Sequence, residues 1–197
     1  MTRSFQLICR VLALLRAQGN PLIDRLRIRL FGTTYGWRPG DAKHLESIAR
    51  DTGVGDLVTE SPERVSYRRS LELLLECDGA LVLGVDDPGY MPSKLFLYAL
   101  SGKPLLASLR RFSPAFLQFE QTPELGHALW FDRDAEMSPG DAVPEVLAFV
   151  QEAAGKRRIE RGRILEPFMA SEMARRHAEL FDACVRAEGA RHSSPSG

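Results

Sequence analysis

The chain has 197 residues, 44% of them hydrophobic and 26% charged, which is enough for one domain with a real core and a short appendage. Lysine plus arginine number 26, as do aspartate plus glutamate; without a basic surplus a nucleic-acid partner is not expected, although a local phosphate site is compatible with this balance. Cys9, Cys77 and Cys184 are odd in number and widely spaced, so reduced thiols in or near a core are expected, in a reducing compartment, rather than disulfides or metal ligands.

The opening segment places Phe5, Ile8, Leu12 and Leu15 at helical spacing, which predicts a buried amphipathic helix. Arg10 interrupts its apolar run and no small-x-small cleavage site follows, which argues against a signal peptide, and the stretch is too short to cross a bilayer. Gly19-Asn20-Pro21 marks a stop. "LRIRLF" (26–31) predicts a strand ending at Gly32. Asp41 can cap a helix with Leu45, Ile48, Ala49 and Thr52 on one face, ended by Gly53. "DLVTE" is a short strand; Ser66 can cap the next helix, with Tyr67, Leu71, Leu74 and Leu75 as its apolar side.

"GALVLGV" and "PLLASL" are continuous apolar runs, as in parallel strands covered on both faces. "SPAFLQFEQ" predicts a short helix, "HALWF" a last strand, and Val143 to Ala153 a closing helix. A basic connector, "GKRRIERGR", leads to a terminal helix through Met173, Leu180, Phe181 and Cys184, and "RHSSPSG" reads as a disordered tail. This alternation predicts an α/β fold with a doubly wound, mostly parallel sheet. The domains expected are a Rossmann-like unit at 1–155, a connector and terminal helix at 156–188, and a tail at 189–197. The unit opens on a helix, whereas a Rossmann-like half opens on a strand with a glycine turn; that first strand would precede Met1.

The segment "GVDDPGYMPSKLFLYALSGKPLLA" (84–107) follows a buried strand, and ligands in open α/β sheets bind beyond the carboxyl ends of strands. Pro92 suits a helix start, Ser93 a cap or first-turn position, and Lys94 sits at the helix end where the dipole disfavours a cation. A phosphate there accounts for the lysine; a capping serine beside a solvated lysine is the plainer alternative. Gly102-Lys103-Pro104 ends the helix in either case.

Pro92-Ser93-Lys94-Leu95-Phe96-Leu97-Tyr98-Ala99-Leu100-Ser101-Gly102-Lys103-Pro104 resembles the Pro-Ser-Lys-Leu-x-Glu-Tyr-x-x-x-Gly-Lys-Pro pattern in the carboxyl-terminal half of GT-B glycosyltransferases, especially the retaining family 4. "LRIRLFGT", "LESIARDTGVGDLV" and "ERVSYRRSLELLLECDGALVLGV" are similar to that family's usual succession, and the resemblance covers residues 5–131. It implies transfer of a sugar, with retention, from a nucleotide-sugar to an acceptor and without an obligatory metal. It implies donor phosphate contacts at Pro92, Ser93 and Lys94, and a nucleotide base beside Arg64 and Val65. Asp87, Tyr90 and Met91 become candidate sugar contacts. The family's ribose-binding glutamate is Leu97 here, and its acceptor-binding half lies outside this sequence. The expected partner is therefore an amino-terminal acceptor-binding domain or chain, with little activity from this chain alone. A non-catalytic nucleotide-binding or interaction module is the second reading.

Asp132-Arg133-Asp134 and Asp86-Asp87 read better as loop residues than as metal or sugar ligands, and no His, Cys or carboxylate group has metal-ligand spacing. Trp37 suits an acceptor or partner contact and a packing role equally. The basic run 156–163 reads first as a solvated connector; the location expected is cytoplasmic, and the alternative for this run, peripheral contact with an anionic membrane, would put it at the inner membrane surface.

Overall fold

A computed structural model describes residues 1–34 and 36–192, with side chains of the last helix described to Arg186. Two compact units divide between Arg161 and Gly162. The first unit runs α1 (Thr2–Ala17), α2 (Pro21–Arg25), β1 (Ile28–Phe31), α3 (His44–Asp51), β2 (Val58–Ser61), α4 (Tyr67–Glu76), β3 (Ala80–Leu83), α5 (Lys94–Leu100), β4 (Leu105–Arg110), α6 (Pro114–Gln121), β5 (His127–Phe131) and α7 (Pro139–Ala154). The second holds α8 (Gly162–Leu165) and α9 (Ala170–His192).

All paired strands are parallel, as the alternation of elements predicts, but they form two sheets rather than one. β1 pairs with β2, Ile28 opposite Val58; β3, β4 and β5 pair in that order, Ala80 opposite Leu105 and Leu106 opposite His127. One core nevertheless spans both sheets: Ile28, Leu30 and Val58 share it with Leu106 and Leu129 beneath α1 and α7. α1 lies between α3 and α7 and also touches β4.

The sheets differ in cover. In β1 and β2 burial alternates, with Ile28, Leu30, Val58 and Glu60 turned inward and Arg29 and Thr59 exposed, so only one face is packed. In β4 five successive residues, Leu105 to Leu109, are buried, as a strand enclosed on both faces requires. α6 packs against β4 and β5, bringing Phe116 and Phe119 into the interior.

Local chemistry explains most boundaries. Gly19 ends α1 at φ 73°, but Asn20 does more than stop the chain: its side chain accepts from Leu22 N and starts α2. Ser66, Ser113 and Ser138 each accept a bond from the amide three residues on. Ser138 with Pro139 starts α7 four residues before the predicted Val143. Asp41 does not cap α3; its carboxylate accepts from Arg38 N, and Glu60, reaching across from β2, receives Leu45 N and Glu46 N at 2.9 Å each. In α4 only Leu74 is buried, while Tyr67 and Leu75 are exposed rather than part of a packed apolar side.

The first unit extends six residues beyond the predicted boundary at 155, because Ile159 N donates to Gly102 O at 2.8 Å and Arg161 is buried. α9 runs to His192, so residues 189–192 are helical rather than tail; the expected tail from Ser193 onward lies outside the described residues. Cys9 is buried, Cys77 half-buried, and Cys184 exposed rather than near a core. No helix among the described residues is long and apolar enough to cross a membrane.

Candidate functional site

Asp86 to Lys94 follow the carboxyl end of β3, and Asp132 to Asp134 that of β5. Beyond β3 the loop turns at Asp87, whose Oδ1 accepts from Gly89 N at 2.8 Å and whose carbonyl accepts from Tyr90 N at 3.2 Å. Tyr90 is half-buried, and that burial pushes its phenol upward; Met91 is exposed and Pro92 buried. Leu95 N donates to Pro92 O at 3.0 Å, which closes the first turn of α5 through the backbone.

Ser93 is therefore a first-turn residue and not a side-chain cap: its backbone is already helical and its hydroxyl accepts no capping bond. Ser93 and Lys94 are both exposed. Neither side chain takes part in a hydrogen bond or ion pair among the described residues. A hydroxyl and an ammonium stand unspent on one turn, beside amides that the helix itself leaves open.

An ion-pair network that the sequence reading missed ties the start of the loop after β3, at Asp86, to the carboxyl ends of β4 and β5. Arg110, the last residue of β4, sits 3.5 Å from Asp86 and 3.4 Å from Asp132. Arg3, in the first turn of α1, donates to the carbonyls of Asp132 and Arg133. Asp132 is held below the usual carboxylate range, first by Arg133 N at 2.8 Å and also by Arg110. Asp132-Arg133-Asp134 thus ties down a loop rather than forming a cation site, and no group of carboxylates, histidines or cysteines among the described residues could hold a metal. Burial lowers the amine of Met1, partly countered by Asp86. The clue to Arg110 was a charged residue at the carboxyl end of an otherwise buried strand.

Arg64 and Val65 follow β2, at the carboxyl end of the other sheet, and are exposed. Their loop lies against Gly32, at the end of β1: a Cβ there would come 3.7 Å from Arg64 Cα, and φ is 64°. Strand direction thus puts the proposed base contacts and phosphate contacts at the same ends of the strands, on two different sheets. Leu97 is half-buried on α5, one turn beyond Ser93. Trp37 donates to Asp41 O at 3.3 Å, which holds it within its own loop.

Compared with known proteins, the chain matches no family model, no curated protein and no solved structure.

Proposed function

We propose that the first unit is the donor-binding half of a retaining, nucleotide-sugar-dependent glycosyltransferase, working with an amino-terminal acceptor-binding domain or partner chain. The observation that carries this reading is the exposed, unpaired Ser93-Lys94 turn beyond the carboxyl end of β3. In the proposed role the Lys94 ammonium and the free amides of α5 hold the donor diphosphate, and they stabilise the charge that develops on it as the sugar departs. Pro92 sets the turn, Arg64 and Val65 flank the base, and Asp87, Tyr90 and Met91 face the sugar. No metal has a part in this chemistry.

Calorimetric titration of the chain with UDP, GDP and ADP tests the reading. One diphosphate should bind selectively, and Lys94→Ala should weaken it at least tenfold with the circular dichroism spectrum unchanged. Equal affinity in the two proteins removes Lys94 from the site. Absence of binding to all three by a folded chain removes the donor-site reading.

Leu97 favours a second reading, a nucleotide-binding or interaction module without turnover. An apolar, half-buried side chain offers no acceptor for ribose hydroxyls at that point on the helix. Binding of a nucleoside diphosphate without sugar transfer in the presence of the acceptor-binding partner selects the module; transfer selects the enzyme.

A further inference from the structure

At the opposite, amino-terminal ends of β3 and β4, a cavity of about 180 Å³ opens between the turn after α5 and the segment after α7. Lys103, Lys156, Arg157 and Arg158 line it, with Ser101 in its wall and Asp78 as the one acidic residue. Arg157 is spoken for, since Glu152 lies 2.8 Å from its Nη1. Lys103, Lys156 and Arg158 have no ion-pair partner among the described residues.

The ordinary explanation for cations near helix carboxyl termini is the negative end of the helix dipole. Here both helix ends are already served. Arg161 Nη1 donates to Ala99 O at 3.3 Å and to Lys103 O at 3.0 Å, covering the end of α5. The end of α7 is closed by its own backbone: Gly155 N to Gln151 O, Lys156 N to Ala153 O and Arg157 N to Glu152 O, each 2.9 Å. Ser101 Oγ is also occupied, by Tyr98 O at 2.6 Å and Lys103 N at 3.2 Å. What is left over is positive charge around a concavity.

Lys156 adds a second, independent observation. It adopts φ 51°, in the left-handed region, whereas Gly155 before it has φ −76°. Helices commonly place glycine in the left-handed residue that follows them, because a side chain there is strained. This chain has a glycine one position too early and a lysine in the strained position. What lysine adds at that position is a long side chain ending in an ammonium. Arg158 is placed as closely: a Cβ on Gly102, itself at φ 72°, would come within 3.2 Å of Arg158 Cγ.

We propose that this cavity binds a phosphate group, gripped by Lys103, Lys156 and Arg158. Its volume is below the roughly 300–1,000 Å³ of clefts that enclose drug-sized ligands, so it suits one phosphate or a terminal phosphomonoester rather than a whole nucleotide. Such a group could come from a soluble phosphorylated compound or from a lipid headgroup. The site lies at the other end of the strands from Lys94 and stands independently of the donor site proposed above.

The test uses the whole chain carrying Lys94→Ala, which silences the other candidate phosphate contact. Titration with inorganic phosphate and pyrophosphate should show one saturable site. Adding Lys103→Ala and Arg158→Ala together should lower its affinity at least tenfold. Lys156→Gly, which relieves the strained backbone and so folds at least as well, should do the same by itself. Flotation with phosphatidylcholine vesicles containing phosphatidic acid distinguishes the sources: retention lost in the same variants assigns a lipid headgroup, and pyrophosphate binding without retention assigns a soluble compound. If the folded chain binds neither phosphate, pyrophosphate nor the acidic vesicles, or if these substitutions leave affinity unchanged, the proposal is overturned.

Discussion

At the carboxyl ends of the strands Arg110 is held between two carboxylates, Asp86 and Asp132. At the amino ends Arg161 is held among three carbonyl oxygens, those of Ala99, Lys103 and Glu124. The first arrangement neutralises the guanidinium, one cation shared by two carboxylates, in a half-open setting where each pair is worth at most about 1 kcal/mol. The second keeps a full positive charge in the interior: Arg161 is 3% exposed, and its Nη2 has no partner. Burial lowers its basicity, with only the field of Glu152 opposing. An arginine fixed by carbonyls gives structure without neutralisation, so the cations around it retain their attraction for an anion. An arginine fixed by carboxylates leaves Lys94 as the one conspicuous free charge on its turn.

The largest expected effect falls on the carbonyl-bound arginine. Arg161→Ala removes a donor from three carbonyls, of which Ala99 O keeps Gly102 N, and should cost about 2–4 kcal/mol, read as a lower midpoint in urea unfolding. An unchanged midpoint would mean that Arg161 does not organise the amino end. Next comes Glu60 at the carboxyl end of β2, 1% exposed and joined to Thr33 Oγ1 as well as to the two amides of α3. Glu60→Ala should cost about 2 kcal/mol and raise amide exchange first in α3; uniform exchange would deny that it anchors the helix. Lys156→Gly should stabilise the protein by about 1 kcal/mol, a gain visible in thermal unfolding and opposite in sign to its effect on phosphate binding. A loss of stability would show that the lysine supports the fold.

The smallest effect is one of pH. Asp132 has its folded pKa depressed, so the stability it contributes is present above the ordinary aspartate value of about 3.9. That contribution disappears as pH falls through the lower folded value. As pH drops below about 3.9, amide exchange should therefore quicken in the loop bearing Asp132 before it quickens near Arg161, whose guanidinium stays charged. Equal acceleration at both ends would erase the contrast.

Much of the fold was legible because its signals are local. Ser66 precedes α4 and caps it, Gly53 ends α3 at φ 80°, and the apolar run 105–109 announces a strand enclosed on both faces. What escaped notice depends on contacts distant in sequence. Glu60 shares an inward face with Val58, and a carboxylate in that register already signals a buried partner, though not that the partner is the start of a helix fifteen residues upstream. Arg161 was lost in a basic run that reads as solvated, since nothing local separates it from its exposed neighbours Arg158 and Arg163. The division into two sheets was hidden for a related reason: each strand's pattern reports its own faces and not which edges find partners. At the carboxyl ends of the strands, the sequence indicated the turn at Ser93 and Lys94 but not the network that Arg110 forms with Asp86 and Asp132.

The burial of Arg161 bears on how the chain meets proteases. Between 156 and 163 five of eight residues are basic, a segment that invites a trypsin-like enzyme. Such an enzyme must draw the arginine side chain into its own specificity pocket and straighten the backbone around it. Arg161 can oblige only after letting go of Ala99, Lys103 and Glu124, whereas Arg163 is exposed. Cleavage after Arg163 asks for no release of those three carbonyls, whereas a cut after Arg161 would record each moment at which the amino end comes open.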